Sequence, residues 1–370
     1  MKKSENTDKK KRDDKMKKNI LVVDDSALMR SVLCDIIASD SRFSVEDRAK
    51  DGLEALELLK KKKYDVVVLD VNMPRMDGLH LLRELQKQGI KAKVLMASTY
   101  TTQGAQTTLE ALELGAIDFI HKPDNVMECR DGSFSAKFLR LIWTVSESSL
   151  VEPEKESEKS LDTIKEVEKL VAKHGHINGS KIVAIASSTG GPRALQSVIP
   201  KLPGRLDAPV VLVQHMPAGF TKSLADRLNS LGDITVTEAQ EGDVLEKGHA
   251  YIAKGGMHMN IVTERGRCHI HYSDEPTREG VKPCANYMYE SLGNSPYDEV
   301  VCVVMTGMGC DGTEGITNLK KSKKTHVIAQ EESTCAVYGM PRSAVQKGLS
   351  DQVVKLDAIA EEIIMNVGVN

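Results

Sequence analysis

A serine, a histidine and an aspartate each stand where an apolar stretch runs out. Ser188 lies in AIASSTGGP after the run KIVAIA, His215 closes PVVLVQH, and Asp311 follows EVVCVVMTG in GMGCDGT. A hydroxyl is a weak nucleophile until a base takes its proton, and the base works best when a carboxylate orients it. At the tips of neighbouring strands in one parallel sheet, the three would converge at the edge where such sheets bind ligands. The chemistry on offer is acyl transfer through a covalent intermediate. Each residue also has a plainer reading. Ser188 or its neighbour Ser187 suits a helix cap ahead of Pro192, His215 suits a satisfied core position, and Asp311 with Glu314 makes a capping box. His249, His258, His269 and His271 compete for the base role. HIH at 269–271 puts two rings on one strand face, but no carboxylate or cysteine stands at a metal-ligand spacing. The turn itself is not GxSxG, GxGxxG or a Walker loop.

A second set of strand ends carries acids. NILVV runs into Asp24 and Asp25, YDVVVLD ends in Asp70, KVLMAS ends in Ser98, and AIDFIH runs into Lys122 and Pro123. Three carboxylates at one sheet edge repel unless a cation neutralises them, and oxygen ligands of this kind suit Mg²⁺. A carboxylate beside Mg²⁺, a hydroxyl and a lysine is placed to attack a phosphoryl donor. Asp70, alone at the central strand, is the candidate nucleophile. Asp24, Asp25 and Asp70 are the candidate metal ligands, Lys122 the contact for the acyl phosphate, and Ser98 the hydroxyl that moves to meet it.

The elements that must position these residues alternate along the chain. In 19–140, apolar strands alternate with helices such as SALMRSVLCDIIAS, GLEALELLKKK and GLHLLRELQKQG. Continuously apolar strands between helices mean a parallel sheet covered on both faces. Residues 146–180 turn Glu-, Lys- and Ser-rich with almost no aromatics, which reads as a linker, helical over about 160–173. Alternation resumes at Lys181 and builds a second α/β unit. The expected boundaries are a disordered basic tail over 1–17, a first domain over 18–140, a linker over 141–178 and a second domain over 179–368.

Residues 18–140 closely resemble the receiver domain of two-component response regulators through VVDDS, LDVNMPRMDG, MAST and GAIDFIHKP. That resemblance implies a flavodoxin-like (βα)5 fold and Mg²⁺-dependent phosphorylation of Asp70 by a histidine kinase. Ser98 and the aromatic Tyr100 are then the expected switch residues. Residues 181–367 resemble the catalytic domain of the chemotaxis receptor methylesterases of the CheB family. SSTGGPRAL, VLVQHMPAGFT, YIAKGGMHM and VMTGMGCDGTEG carry the likeness. It implies a doubly wound parallel-sheet esterase domain with Ser188 as nucleophile, His215 as general base and acid, and Asp311 as orienting carboxylate. The Met308 backbone N–H is implied at the oxyanion, with Thr189 lining the same turn. The activity implied is hydrolysis of glutamate γ-methyl esters, and deamidation of glutamines, on chemotaxis receptors, with no cofactor for the ester step. Phosphorylation would activate it by moving the receiver off the catalytic strand tips. The chain departs from the family pattern at Ala186-Ser187, where the family has Gly-Ala, and at Pro283-Cys284-Ala285-Asn286, where it has Pro-Ser-Val-Asp.

Bulk properties agree with that picture. A net charge of −3 gives no nucleic-acid signal, and ILVV is broken too early by Asp24 to be a signal-peptide core. No run approaches the ~20 apolar residues of a membrane span. The seven cysteines show no CxxC pairing and read as reduced thiols. The expectation is a cytoplasmic monomer recruited to receptor arrays, not a membrane protein.

Overall fold

Strands with no polar face belong in the middle of a sheet, and the two most apolar runs of the first unit sit there. The computed structural model describes residues 17–98, 102–123, 128, 132–150 and 179–370. The chain forms two compact units, Met1–Leu150 and Val151–Asn370. Tyr100, the tail up to residue 16 and linker residues 151–178 lie outside the described residues.

In the first unit, β1 (Lys18–Val23), β2 (Phe43–Ala49), β3 (Val66–Asp70), β4 (Val94–Ser98) and β5 (Asp118–His121) form a parallel sheet in the order β2-β1-β3-β4-β5. Its helices are α1 (Ala27–Ala38), α2 (Gly52–Lys61), α3 (Gly78–Lys87), α4 (Thr102–Glu113) and α5 (Gly132–Glu147). This is the flavodoxin-like order, and it reverses between β1 and β3. Ser26, Asp51 and Asp77 cap α1, α2 and α3 by accepting from backbone amides three residues on. Two elements go beyond the sequence reading, which assigns no strand to 43–49. FSVEDRA is polar because β2 is an edge strand. The boundary expected at 140 falls inside α5, which runs to Glu147. Phe134, Phe138, Ile142 and Val145 on that helix join Ile20, Val66 and Leu95 in one core cluster.

The second unit holds β6 (Lys181–Ser187), β7 (Val210–Gln214), β8 (Thr235–Glu238), β9 (His249–Ile252), β10 (His258–Glu264), β11 (Arg267–Ser273), β12 (Glu299–Val304), β13 (Lys324–Gln330) and β14 (Gln352–Val354). Seven of them make a parallel sheet in the order β14-β13-β12-β6-β7-β9-β8, and β10 and β11 form an antiparallel pair. The helices are α6 (Gly191–Val198), α7 (Phe220–Asn229), α8 (Ala285–Ser291), α9 (Thr313–Leu319), α10 (Met340–Gln346) and α11 (Ile359–Val367). The chain enters mid-sheet at β6, builds outward through β7 to β8, then returns to the other side of β6 at β12. The order therefore reverses at β6, the point where open parallel sheets bind ligands at the strands' carboxyl ends. Among the described residues, no helix is long and apolar enough to cross a membrane.

Candidate functional site

Register brings the acidic strand ends together. Val23 pairs with Leu69, so Asp24 falls beside Asp70. Asp70 pairs with Ala97, and Ser98 pairs with His121, which sets Lys122 one step on. The Lys122 amide donates to the Ser98 carbonyl at 2.7 Å. Lys122 Nζ lies 3.0 Å from Asp24 Oδ2 and 2.7 Å from Asp70 Oδ1. Asp24 and Asp70 are buried and Asp25 is exposed, yet one oxygen of each lies within 4.8 Å of the others. Three carboxylates and no nitrogen or sulfur donor make a set that fits Mg²⁺. Burial is the main force on Asp70 and, with Asp24 adding repulsion, pushes its carboxyl up to about 6 against the pull of Lys122 and the Val71 amide. Gly78 lets α3 close on this edge, since a Cβ there would lie 2.5 Å from the Asp70 carbonyl oxygen.

The second unit brings its three strand ends together in the same way. Ser187 pairs with Gln214. Ser188 and His215 are therefore neighbours one step beyond, at the ~4.8 Å spacing of adjacent strands. The His215 amide donates to the Ser187 carbonyl at 3.1 Å, and the Ser188 amide donates to the Thr306 carbonyl at 3.0 Å, tying the β6 tip to the β7 and β12 tips. His215 Nε2 sits 2.7 Å from Asp311 Oδ2. Among the described residues no hydrogen bond joins the Ser188 hydroxyl to His215, and such contacts are often long before substrate binds. Asp311 is 2% exposed. Burial works to raise its carboxyl, but bonds from His215, Cys284 and the Ala285 amide outweigh that and hold it below the usual range.

The two capping readings are not realised. The N-cap of α6 is Gly190, at φ 75, with no side-chain cap bond. The N-cap of α9 is Gly312, and Glu314 pairs with Arg278 instead of closing a capping box. Ser187 is fully buried, and its hydroxyl donates to Gln214 Oε1 at 2.7 Å, so it faces no substrate. His249 contacts Thr237, His269 the Gly242 carbonyl and His271 Glu241; none of them belongs to a metal-ligand cluster among the described residues. His258 is buried in β10. Thr189 is buried, and its carbonyl accepts from the Thr306 hydroxyl at 3.0 Å. The Gly307 carbonyl accepts from the Gly339 and Met340 amides, at 3.0 and 2.8 Å. A trans peptide then turns the Met308 N–H the opposite way.

Three contributors escaped the sequence reading. Gln214 Nε2 donates to the Ser188 carbonyl at 3.0 Å and so braces the loop that carries Ser188. Gly307 passes so close to Ser188 that a Cβ would lie 2.7 Å from the serine Cβ. Residues 284–286, where the chain leaves the family pattern, supply hydrogen bonds to Asp311. A buried glutamine at a strand end, one glycine among several and a cysteine carry no chemical signal of their own.

Residues 183–363 match the CheB methylesterase family, and residues 20–131 match the response regulator receiver domain. A protein-glutamate methylesterase/protein-glutamine glutaminase of Pyrococcus abyssi is 43% identical over 353 residues, covering 94% of this chain and 93% of the relative. The chain belongs to the CheB methylesterase family. A protein of the same name from Geobacillus kaustophilus is 40% identical over 352 residues, covering 94% of this chain and 98% of its own. The crystal structure of the Thermotoga maritima CheB methylesterase catalytic domain is 39% identical, with 51% of this chain and 98% of that chain covered and a TM-score of 0.49. Membership makes the chain an enzyme of the methylesterase/glutaminase type with a receiver domain ahead of it.

Proposed function

We propose that this enzyme hydrolyses glutamate γ-methyl esters, and deamidates glutamines, on cytoplasmic regions of chemotaxis receptors, under control of phosphorylation at Asp70. The observation that carries the catalytic half is the 2.7 Å His215–Asp311 contact beside the strand tip that bears Ser188. With Nε2 held by Asp311, the other ring nitrogen, Nδ1, takes the Ser188 proton as the hydroxyl oxygen attacks the ester carbonyl. The Met308 amide stabilises the oxyanion, with Thr189 shaping the turn. His215 then passes the proton to the departing methanol, and water cleaves the acyl-enzyme by the reverse proton path. A glutamine side chain follows the same route with ammonia as the leaving group.

The phosphorylation half rests on the cluster of Asp24, Asp25, Asp70 and Lys122. Asp24, Asp25 and Asp70 would hold Mg²⁺, which would supply positive charge to the phosphoryl oxygens. Asp70 accepts the phosphoryl group from a histidine kinase, Lys122 contacts the acyl phosphate, and Ser98 with Tyr100 responds to it. The test is methanol release from methylated receptor membranes by wild type and Ser188→Ala, each with and without a small phosphodonor and Mg²⁺. Release that rises with the phosphodonor and vanishes in the variant supports both halves. Undiminished release by Ser188→Ala removes the triad, and release indifferent to phosphodonor removes the control by Asp70.

A further inference from the structure

Asp311 is held by far more than His215. Its Oδ1 accepts from the Cys284 thiol at 3.0 Å and from the amides of Asn286 at 3.0 Å and Gly312 at 2.9 Å. Its Oδ2, which faces His215, also accepts from the Ala285 amide at 2.7 Å. Residues 284–286 open helix α8. The Tyr289 hydroxyl of that helix reaches the carbonyls of Ala184 at 3.3 Å and Val303 at 3.1 Å, in β6 and β12. The helix that cradles Asp311 is thus fastened to the two strands that lead to Ser188 and Asp311. Asn286 closes the cradle, because its Oδ1 accepts from the Gly312 and Gly315 amides at 3.0 and 2.6 Å.

The amide donors survive any substitution except proline. Cys284 donates through its side chain, so a point change removes it. It is fully buried, and burial together with Asp311 pushes its thiol up, so the proton stays on sulfur across the working pH range.

We infer that Cys284 is a positioning residue of the hydrolase site, its S–H donating to Asp311 Oδ1 and thereby fixing the carboxylate plane and its bond to His215. This rests on the proposed roles of Ser188, His215 and Asp311. A donor on Oδ1 draws negative charge away from the carboxylate. Without it, more charge stays on Oδ2 and its bond to His215 Nε2 tightens. The carboxylate also loses a restraint on rotation about Cβ–Cγ, which loosens the ring that must meet Ser188. Cys284 is buried and touches no substrate, so the effect belongs in kcat and not in KM.

Full-length Cys284→Ala and Cys284→Ser test this by the ¹H NMR resonance of the His215 Nε2–H that faces Asp311 and by kcat and KM for methanol release. Cys284→Ala should move that resonance downfield and lower kcat on the order of tenfold with KM unchanged. Cys284→Ser, with a stronger O–H donor, should keep the resonance at or upfield of its wild-type position and retain kcat. A Cys284→Ala resonance that overlays wild type overturns the inference, even with a lower melting temperature, because the thiol then only fills space. Should that variant fail to fold, a downfield shift in Cys284→Ser overturns it equally. Absence of methanol release from wild type would sink the functional reading, while the resonance, which needs no substrate, would still decide the role of Cys284.

Discussion

Asp70 and Asp311 are the same residue type, each buried at the carboxyl edge of a parallel sheet where the strand order reverses, yet their carboxyls move in opposite directions. Burial alone would raise both. Asp70 has Lys122 and one backbone amide in its favour and Asp24 against it, and it ends near 6. Asp311 has His215, Cys284 and the amides of Ala285, Asn286 and Gly312, and it ends below the ordinary value. The difference lies in how each negative charge is neutralised. Asp70 has one fixed amide donor beside the Lys122 charge, which suits the reacting group proposed for it. Asp311 has a set of backbone amides and a thiol around it, which suits the orienting carboxylate proposed for it.

The largest expected effect is on turnover. Ser188→Ala should lower methanol release by ~10⁴-fold or more, whereas Ser187→Ala should keep most of it. If the two variants swap, the nucleophile has been misplaced by one residue. Phosphate incorporation breaks or sharpens the other side of the comparison. Asp70→Asn should take up none of the label that wild type takes from a phosphodonor with Mg²⁺, and uptake by the variant would move the acceptor to Asp24 or Asp25.

Stability against pH follows, with opposite signs for the two aspartates. Asp70 is raised in the folded state, so its contribution is fully present below about pH 4 and is lost as pH rises through about 6. At pH 7.5 without Mg²⁺, Asp70→Asn should therefore stabilise the first unit, by up to roughly 3 kcal/mol, with no gain near pH 4. Trp143, the single tryptophan, sits in α5 and reports that unfolding by fluorescence. Asp311 is depressed, so its contribution is present at neutral pH and fades as pH falls through its folded value. Asp311→Asn should destabilise the second unit at pH 7.5, and the deficit should shrink in acid. Two substitutions of equal sign would end the contrast drawn above.

Two smaller effects probe the supports. Gly307→Ala places a Cβ 2.7 Å from the Ser188 Cβ and 2.5 Å from Met340 Sδ. It should cost about 1–3 kcal/mol in urea denaturation and depress methanol release without changing phosphate uptake. Ser187→Ala removes the donor to Gln214 Oε1 and should cost about 1 kcal/mol. A silent Ser187→Ala would show that Gln214 braces the Ser188 carbonyl unaided.

Legibility in the sequence followed burial. β3, β4, β6 and β12 each carry a buried apolar run, and the sequence reading finds all four with the residues that end them. β2 and β14 lie at sheet edges, so each leaves a weak pattern and the reading assigns neither, nor does it assign α10. The chemistry-bearing residues stood out because a charged or nucleophilic group at the end of an apolar run is costly unless used. Their supports did not, because bracing is done by backbone amides, a glutamine, a glycine and a thiol. None of these types is unusual in a core.

By itself the sequence determined which strands would be central, which polar residues would end them, and that two acid-containing edges would exist, because patterning and chain direction fix those facts locally. Only the tertiary structure decided that Ser187 is buried against Gln214 while Ser188 is half-buried, that Asp311 pairs with His215 instead of capping α9, and that Cys284 reaches its carboxylate. Those outcomes depend on strand order, register and the docking of α8, which bring together residues far apart in the chain whose hydrogen bonds no local pattern encodes.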